Sequence, residues 1–280
     1  MRAHAQVSKH GAPFQFAFEA AVWPEAIGAN VYELTAVFRQ SDASFVSALN
    51  QIRRGRAPAA VRELLRPCVN RNLSESGGIV ATRLFTHRAE CATLNEQALK
   101  ALGGAQSSFT ARDTGRDEAA LKQLQSSCPA PASLTLKVGA QVLLVQTLDA
   151  EAGLVNGTRG VVTSLGAIAS SARVRFHNGV ERLISPQPFA LSQGGGGVVA
   201  CRTQLPLALG WALSVHKSQG MSLDPVELSL RNVFECGQMY VALSRARALE
   251  GLALKDGVDW SKLRAHPRVL AWHEAQGLHG

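Results

Sequence analysis

The stretch from Val31 to Phe38, VYELTAVF, has the β-branched, apolar and aromatic content of a strand. Ser41-Asp42 then offers capping oxygens, and Phe45, Val46, Leu49 and Ile52 recur at helical spacing as far as Gly55, so a helix is expected directly after the strand. A second helix through Val61, Leu64 and Leu65 has to stop at Pro67. The run GGIVATRLF has the continuous apolar character of a buried strand, and Ala89 to Leu102 is a helical stretch closed by Gly103-Gly104. Strand alternating with helix predicts a parallel, three-layer α/β domain.

The pattern changes after residue 105. Residues 105–132 are rich in Ser, Ala and Pro with mixed charges. Beyond them Leu134, Leu136 and Val138 alternate and Val142 to Val145 is apolar; then come two Asn-Gly pairs, Asn156-Gly157 and Asn178-Gly179, each a tight-hairpin signal. Several short strands in about 60 residues predict a small antiparallel barrel over 133–192, inserted into the α/β domain. Gly194 to Gly197 is expected to be a flexible return. After it LPLALGWALSVHKSQG, the alternating strand VELSL, a helix in GQMYVALSRA and a strand in GLALK resume the first pattern. One α/β domain split by a β insertion is therefore expected, not three independent units.

The 280 residues are 46% apolar, enough for a large core, and carry 29 Lys+Arg against 21 Asp+Glu. The excess is distributed: +4 over 1–132, +2 over 133–192 and +2 over 193–280. A folded body with distributed positive charge suits a polyanion such as nucleic acid or nucleotide phosphate. No run approaches the roughly 20 apolar residues of a membrane-spanning helix, and the start lacks a secretory apolar block; a soluble intracellular protein with no membrane partner is expected. The first 18 residues hold Arg2 and Lys9 and no acid, a likeness to an organellar transit peptide, but Phe14, Phe16, Phe18 and Trp23 favour folded structure. Five well-separated cysteines read as reduced, mostly buried thiols. His87, His177 and His273 have no companions at ligand spacing, so no metal site is expected.

Neither GxxxxGK[ST] nor GxGxxG occurs in these residues. In HKSQG, residues 216–220, Ser218 stands two places before a glycine, but His216 occupies the other glycine position of a nucleophile elbow. Two readings of HKSQG stay open. One is the basic end of a helix capped by Gly220; the other is a cation, an amide and a hydroxyl gathered for phosphate or nucleic-acid backbone contacts. In YVALSRAR a short apolar helix could hold Arg245 rigidly at a domain edge, or leave it as an ordinary solvated arginine. Arg39 follows the first expected strand directly, and ligands gather at the carboxyl ends of parallel strands; it is a candidate for a γ-phosphate, with a surface ion pair as the plain alternative. Arg53, Arg54, Arg56, Arg62 and Arg66 form a basic stripe that could be a solvated helix face or a phosphate contact.

Taken together, FAFEAAVW (16–23), LTAVFRQSDASFVSALNQIRRG (34–55), LKVGAQVLLVQTLDAEAGLVNGTRGVV (136–162), LPLALGWALSVHKSQGMSL (205–223) and FECGQMYVALSRAR (234–247) resemble, in family order, the C-terminal half of PIF-family ATP-dependent DNA helicases, superfamily-one motors related to RecD. The resemblance implies a second RecA-like domain over 31–132 and 193–280, a remnant over 1–30 that follows the first RecA-like domain, and a Src-homology-type β-barrel over 133–192. It implies that FRQ, HKSQG and YVALSRA are the family's motifs IV, V and VI. Arg39 and Arg245 would then reach the γ-phosphate, with Gln40, Gln219 and Gly220 beside the nucleotide and His216, Lys217 and Ser218 on the DNA. It further implies 5′–3′ translocation on single-stranded DNA, unwinding of duplexes, forks or G-quadruplexes, and residence in the nucleus or mitochondrion. ATP and Mg²⁺ would serve the complete motor. The family's P-loop and metal-holding Asp-Glu pair belong to the first RecA-like domain, so this chain alone is expected to bind neither and to be inactive, needing that domain as a partner. The alternative is a non-catalytic single-strand nucleic-acid-binding module derived from such a motor.

Overall fold

In a computed structural model the described residues are 15–28, 30–74, 77–166, 170–193 and 197–277. Arg2, Lys9, Phe14 and residues 194–196 of the glycine run, on which expectations were placed, lie outside them. A short helix α1 (Trp23–Ala26) leads into α2 (Ala43–Arg53) and α3 (Ala59–Leu65). Asp42 caps α2 by accepting from the backbone N–H of Ser44 and Phe45. At its far end Gly55 has φ +74° and a Cβ there would lie 2.9 Å from the Ala265 nitrogen, so only glycine fits.

Strand β1 (Thr82–Phe85) precedes α4 (Arg88–Ala101), β2 (Gln106–Thr110), β3 (Arg112–Gly115) and α5 (Glu118–Ser127). Then come β4 (Ser133–Lys137), β5 (Gln141–Leu144), β6 (Arg159–Leu165), β7 (Ala172–Phe176), β8 (Glu181–Ile184), β9 (Gln187–Ser192), β10 (Val198–Gln204) and β11 (Leu207–Leu209). β12 (Ala212–Ser214), β13 (Val226–Ser229), α6 (Gln238–Leu243), β14 (Leu252–Lys255) and α7 (Pro267–Ala275) complete the order.

Strands β12, β1, β13 and β14 lie side by side in that order, all parallel. Phe45, Leu49 and Ile52 of α2, Leu65 of α3 and Met239 and Leu243 of α6 share one core with Leu84, Val226, Leu228, Leu252 and Leu254 of the sheet. Parallel strands need such helical cover, because their crossovers run over the faces. The edge strand β12 is closed by Asn95 of α4, whose side chain accepts from Ala212 N–H at 2.9 Å and donates to its carbonyl at 2.8 Å.

The rest is antiparallel: a five-stranded sheet β11-β5-β6-β7-β8, a three-stranded sheet β3-β10-β9 and the pair β2-β4. The expected mixture of a parallel α/β sheet and antiparallel strands is present. The antiparallel part nevertheless draws on residues well before 133 and after 192, through β2, β3, β10 and β11. QSSFT and RDTG are polar and short, so neither shows the apolar alternation by which a strand is recognised.

Two local expectations fail. Residues 30–36 form no strand, and Tyr32, Leu34 and Phe38 are 83%, 94% and 96% exposed: strand-like composition does not make a strand without a neighbour to pair with. Asn156-Gly157 forms a turn, with Thr158 N–H donating to Val155 O, inside the long connection from β5 to β6. The second pair, Asn178-Gly179, does make the tight β7–β8 hairpin, closed by Phe176 N–H donating to Val180 O.

The antiparallel part is anchored to the parallel sheet by Arg159 of β6. Its guanidinium donates to the carbonyls of Pro225 (2.9 Å), Val80 (3.3 Å) and Asp224. Burial pushes its pKa down to about 10 against the pull of Asp224. Beside it Gly157 lies against Met221, where an added Cβ would come within 2.9 Å of the methionine Cβ.

Candidate functional site

The sequence HKSQG begins where β12 ends, at the carboxyl edge of the parallel sheet. It is a run of tight turns and not the end of a helix: Ser218 N–H donates to Ser214 O at 3.1 Å, and Met221 N–H to Ser218 O at 3.0 Å. Gly220, at φ +88°, supplies the left-handed step. Ser218 is fully buried and its hydroxyl donates to Val215 O at 2.8 Å. That corrects the expectation of a DNA-contacting hydroxyl: in this arrangement the side chain locks the turn. Lys217 is exposed and His216 Nε2 lies 2.8 Å from Glu235 Oε2.

Arg39 and Gln40 approach this turn from the N-terminal side. Arg39 donates to Ser222 Oγ at 2.9 Å, to Gly220 O at 3.4 Å and to Ser244 O at 3.5 Å. Gln40 is buried and its amide nitrogen donates to Ala246 O at 2.8 Å and Ser244 O at 3.2 Å. Arg245 arrives from the end of α6. Its Nε donates to Val241 O at 2.8 Å, Nη1 to Met221 O and Ser218 O at 3.1 and 3.2 Å, and Nη2 to Ser244 Oγ at 2.8 Å.

Arg245 is therefore not a solvated arginine: it is held by these four bonds at the end of α6 and is 6% exposed. Burial, followed by repulsion from Arg39, brings its pKa down to about 10, so it keeps its charge at neutral pH. The partners of the two guanidinium groups are carbonyls and hydroxyls, and among the described residues neither has a carboxylate within ion-pair distance. Two neighbouring cations held this way leave net positive charge facing the partly exposed Arg39, a setting that attracts an anion.

The residues expected in the site thus fall together: Arg39, Gln40, Arg245, Gln219 and Gly220 around one turn, with His216 and Lys217 at its approach. Sequence reasoning missed Ser222, Ser244 and Met221, which receive the arginines; the matched stretches contain them, but no local signal shows that their oxygens face inward. A cavity of about 810 Å³ brings Gln219, His216 and Arg245 onto the same surface as Arg53, Arg54 and Arg56 of the basic stripe. Of the other stripe members, Arg66 pairs with Glu63 at 3.1 Å and Arg62 donates to Ala57 O. No cluster of three metal-ligating side chains occurs among the described residues.

The family model described as DNA helicase Pif1, 2B domain, matches residues 120–165. Along 272 residues the chain is 44% identical to the ATP-dependent DNA helicase PIF1 of Xenopus laevis, covering 96% of this chain and 42% of that protein. Over most of its length this sequence is similar to Pif1 helicases. The chain spans less than half the length of that Pif1 relative. The crystal structure of Pif1 helicase from Candida albicans shares 31% identity and a TM-score of 0.69 over 93% of this chain and 64% of that one. That of Pif1 from Bacteroides in complex with ADP-AlF3 and ssDNA shares 28% identity and a TM-score of 0.60 over 89% of this chain and 57% of that one. The match to the Pif1 2B domain opens inside α5 and closes at the last residue of β6, so it begins before the insertion boundary expected at residue 133.

Proposed function

We propose that this chain is the second motor domain of a Pif1-type ATP-dependent DNA helicase that moves 5′ to 3′ along single-stranded DNA and opens duplexes, forks or G-quadruplexes. The observation that carries the proposal is the convergence of Arg39 and Arg245, without a carboxylate partner, on the turn made by HKSQG and Met221. A relative bound to ADP-AlF3 and ssDNA supports it.

In this reading Arg39 stabilises the charge on the transferred γ-phosphate, an effect of about 10³–10⁵ in rate where arginine fingers have been tested. Gln40, Gln219 and Gly220 border the nucleotide. Arg245, which the resemblance puts at the γ-phosphate beside Arg39, has its donors taken up by the turn in this structure; held so, it keeps Ser218 to Met221 in position so that a shift at the nucleotide is felt at His216 and Lys217, which face the strand. The residues present fit the phosphate end of ATP and do not fit Mg²⁺, since the described part offers no carboxylate cluster. The phosphate cradle and the metal would come from a first RecA-like domain outside these residues, in cis or in trans. Exposed Tyr32, Leu34 and Phe38, next to Arg39 in sequence, are the apolar surface assigned to that contact. The five-stranded sheet and its neighbours would serve as the family's Src-homology-type barrel beside the DNA, and the protein would act in the nucleus or mitochondrion.

The test is fluorescence anisotropy of a labelled oligonucleotide at two salt concentrations. Binding that is indifferent to base sequence and falls steeply with salt is expected. No binding at low salt would refute the DNA-facing assignment.

A further inference from the structure

β1, β12 and β13 are neighbours in the parallel sheet, and the residues just beyond their carboxyl ends include His87, Lys217 and Phe234. His87 and Phe234 meet there as a stacked pair, with ring centroids 5.2 Å apart and planes inclined by 10°. Both residues are exposed, Phe234 at 55%. A stack made for packing buries its rings, since burial is what makes an aromatic side chain stabilising; this one presents aromatic surface to solvent.

The backbone that carries Phe234 is also held in place. The Phe234 backbone N–H donates at 3.1 Å to Oε1 of the buried Gln238 side chain, and the adjacent Glu235 carboxylate meets His216 at 2.8 Å. A pre-positioned ring loses little freedom when something stacks on it. Lys217, exposed, follows β12, the direct sheet neighbour of the β1 strand that leads to His87. An exposed planar pair and an exposed cation on the same carboxyl edge of a parallel sheet are the combination by which single strands are held: bases stack on aromatic faces while cations track phosphates.

We propose that His87 and Phe234 form a stacking platform for a base of single-stranded nucleic acid, with Lys217 on the neighbouring phosphate. This rests on reading the chain as a single-strand-binding motor domain and adds to it a base contact that neither the motif residues nor the arginine pair supplies. Because every base has an aromatic face, the platform is tolerant of sequence.

The experiment compares labelled oligo(dT) with an abasic phosphodiester strand of equal length, at low salt, on the 280-residue chain. The wild type is expected to favour oligo(dT). Phe234→Ala should weaken oligo(dT) binding about 10-fold and leave the abasic strand unchanged, His87→Ala should act in the same direction, and Phe234→Trp should restore the preference. Lys217→Ala should weaken both strands alike. Unchanged oligo(dT) binding by Phe234→Ala and His87→Ala, or equal wild-type affinity for the two strands, would overturn the platform and leave the single-strand reading standing. Failure of the wild type to bind either strand would overturn both.

Discussion

Arg39 and Arg245 donate to the same short turn from opposite ends of the chain, Arg39 to the Gly220 carbonyl at 3.4 Å and Arg245 to those of Ser218 and Met221 at 3.2 and 3.1 Å. Their environments differ. Arg245 is buried with its donors largely committed, whereas Arg39 is partly open. Arg245→Ala, which takes a donor from the carbonyls of Val241, Ser218 and Met221, should cost about 3 kcal/mol of stability, and Arg39→Ala no more than about 1 kcal/mol. Urea unfolding of the two variants checks this; similar costs would show that both arginines are structural.

The junction between the parallel and antiparallel parts makes a second prediction. Gly157, at φ +93°, has no room for a Cβ beside Met221, so Gly157→Ala should destabilise by more than about 1 kcal/mol. Arg159→Met should be worse, because the Val80, Pro225 and Asp224 carbonyls each lose a charged donor. Hydrogen exchange should rise in residues 218–225 in both variants. Exchange unchanged there would mean that the β part does not brace the turn.

A third concerns acid. Arg202, 2% exposed, clasps Asp113 through two bonds of 2.8 and 2.6 Å and also reaches Gln125 and the Ala130 carbonyl. The hydrogen bond from Arg202 holds the Asp113 carboxyl below its usual range. A depressed carboxylate pKa contributes stability that is present above the unfolded value, about 3.9, and is lost as pH falls through the folded value. Asp113→Asn should therefore lower stability at neutral pH by about 2 kcal/mol and flatten the acid limb of stability against pH. An unaltered acid limb would show that the pair contributes nothing.

A fourth uses salt. Lys217 is exposed and needs no displacement to meet a phosphate. Lys217→Ala should reduce the slope of log affinity against log salt by about one and weaken all single strands alike. A change confined to particular sequences would instead make Lys217 a base contact.

Much of the fold and of the site could be read from the chain. Helical spacing and the Asp42 cap located α2, the apolar run GGIVATRLF located β1 and the alternation in VELSL located β13, and the collinear motifs contain the Arg39 and Arg245 that the fold sets around one turn. What could not be read depends on neighbours. VYELTAVF has the composition of a strand and lies exposed, because pairing needs a second strand that the local sequence does not announce. β2 and β3 hide in polar sequence for the opposite reason: their partners in β4 and β10 supply the order. Ser218 looked like a surface hydroxyl, and only the turn geometry shows it directed to Val215 O. The His87–Phe234 stack joins residues from two separate crossovers, each unremarkable alone.

The most direct measurement is ATP hydrolysis by these 280 residues, with and without single-stranded DNA, and again after fusion behind the P-loop half of a Pif1 relative. The isolated chain should show no DNA-stimulated turnover, the fusion should hydrolyse ATP, and Arg39→Ala in the fusion should abolish hydrolysis while leaving single-strand binding intact. Robust turnover by the chain alone, or wild-type turnover by the Arg39→Ala fusion, would contradict the assignment of Arg39 to a nucleotide site completed from outside the chain.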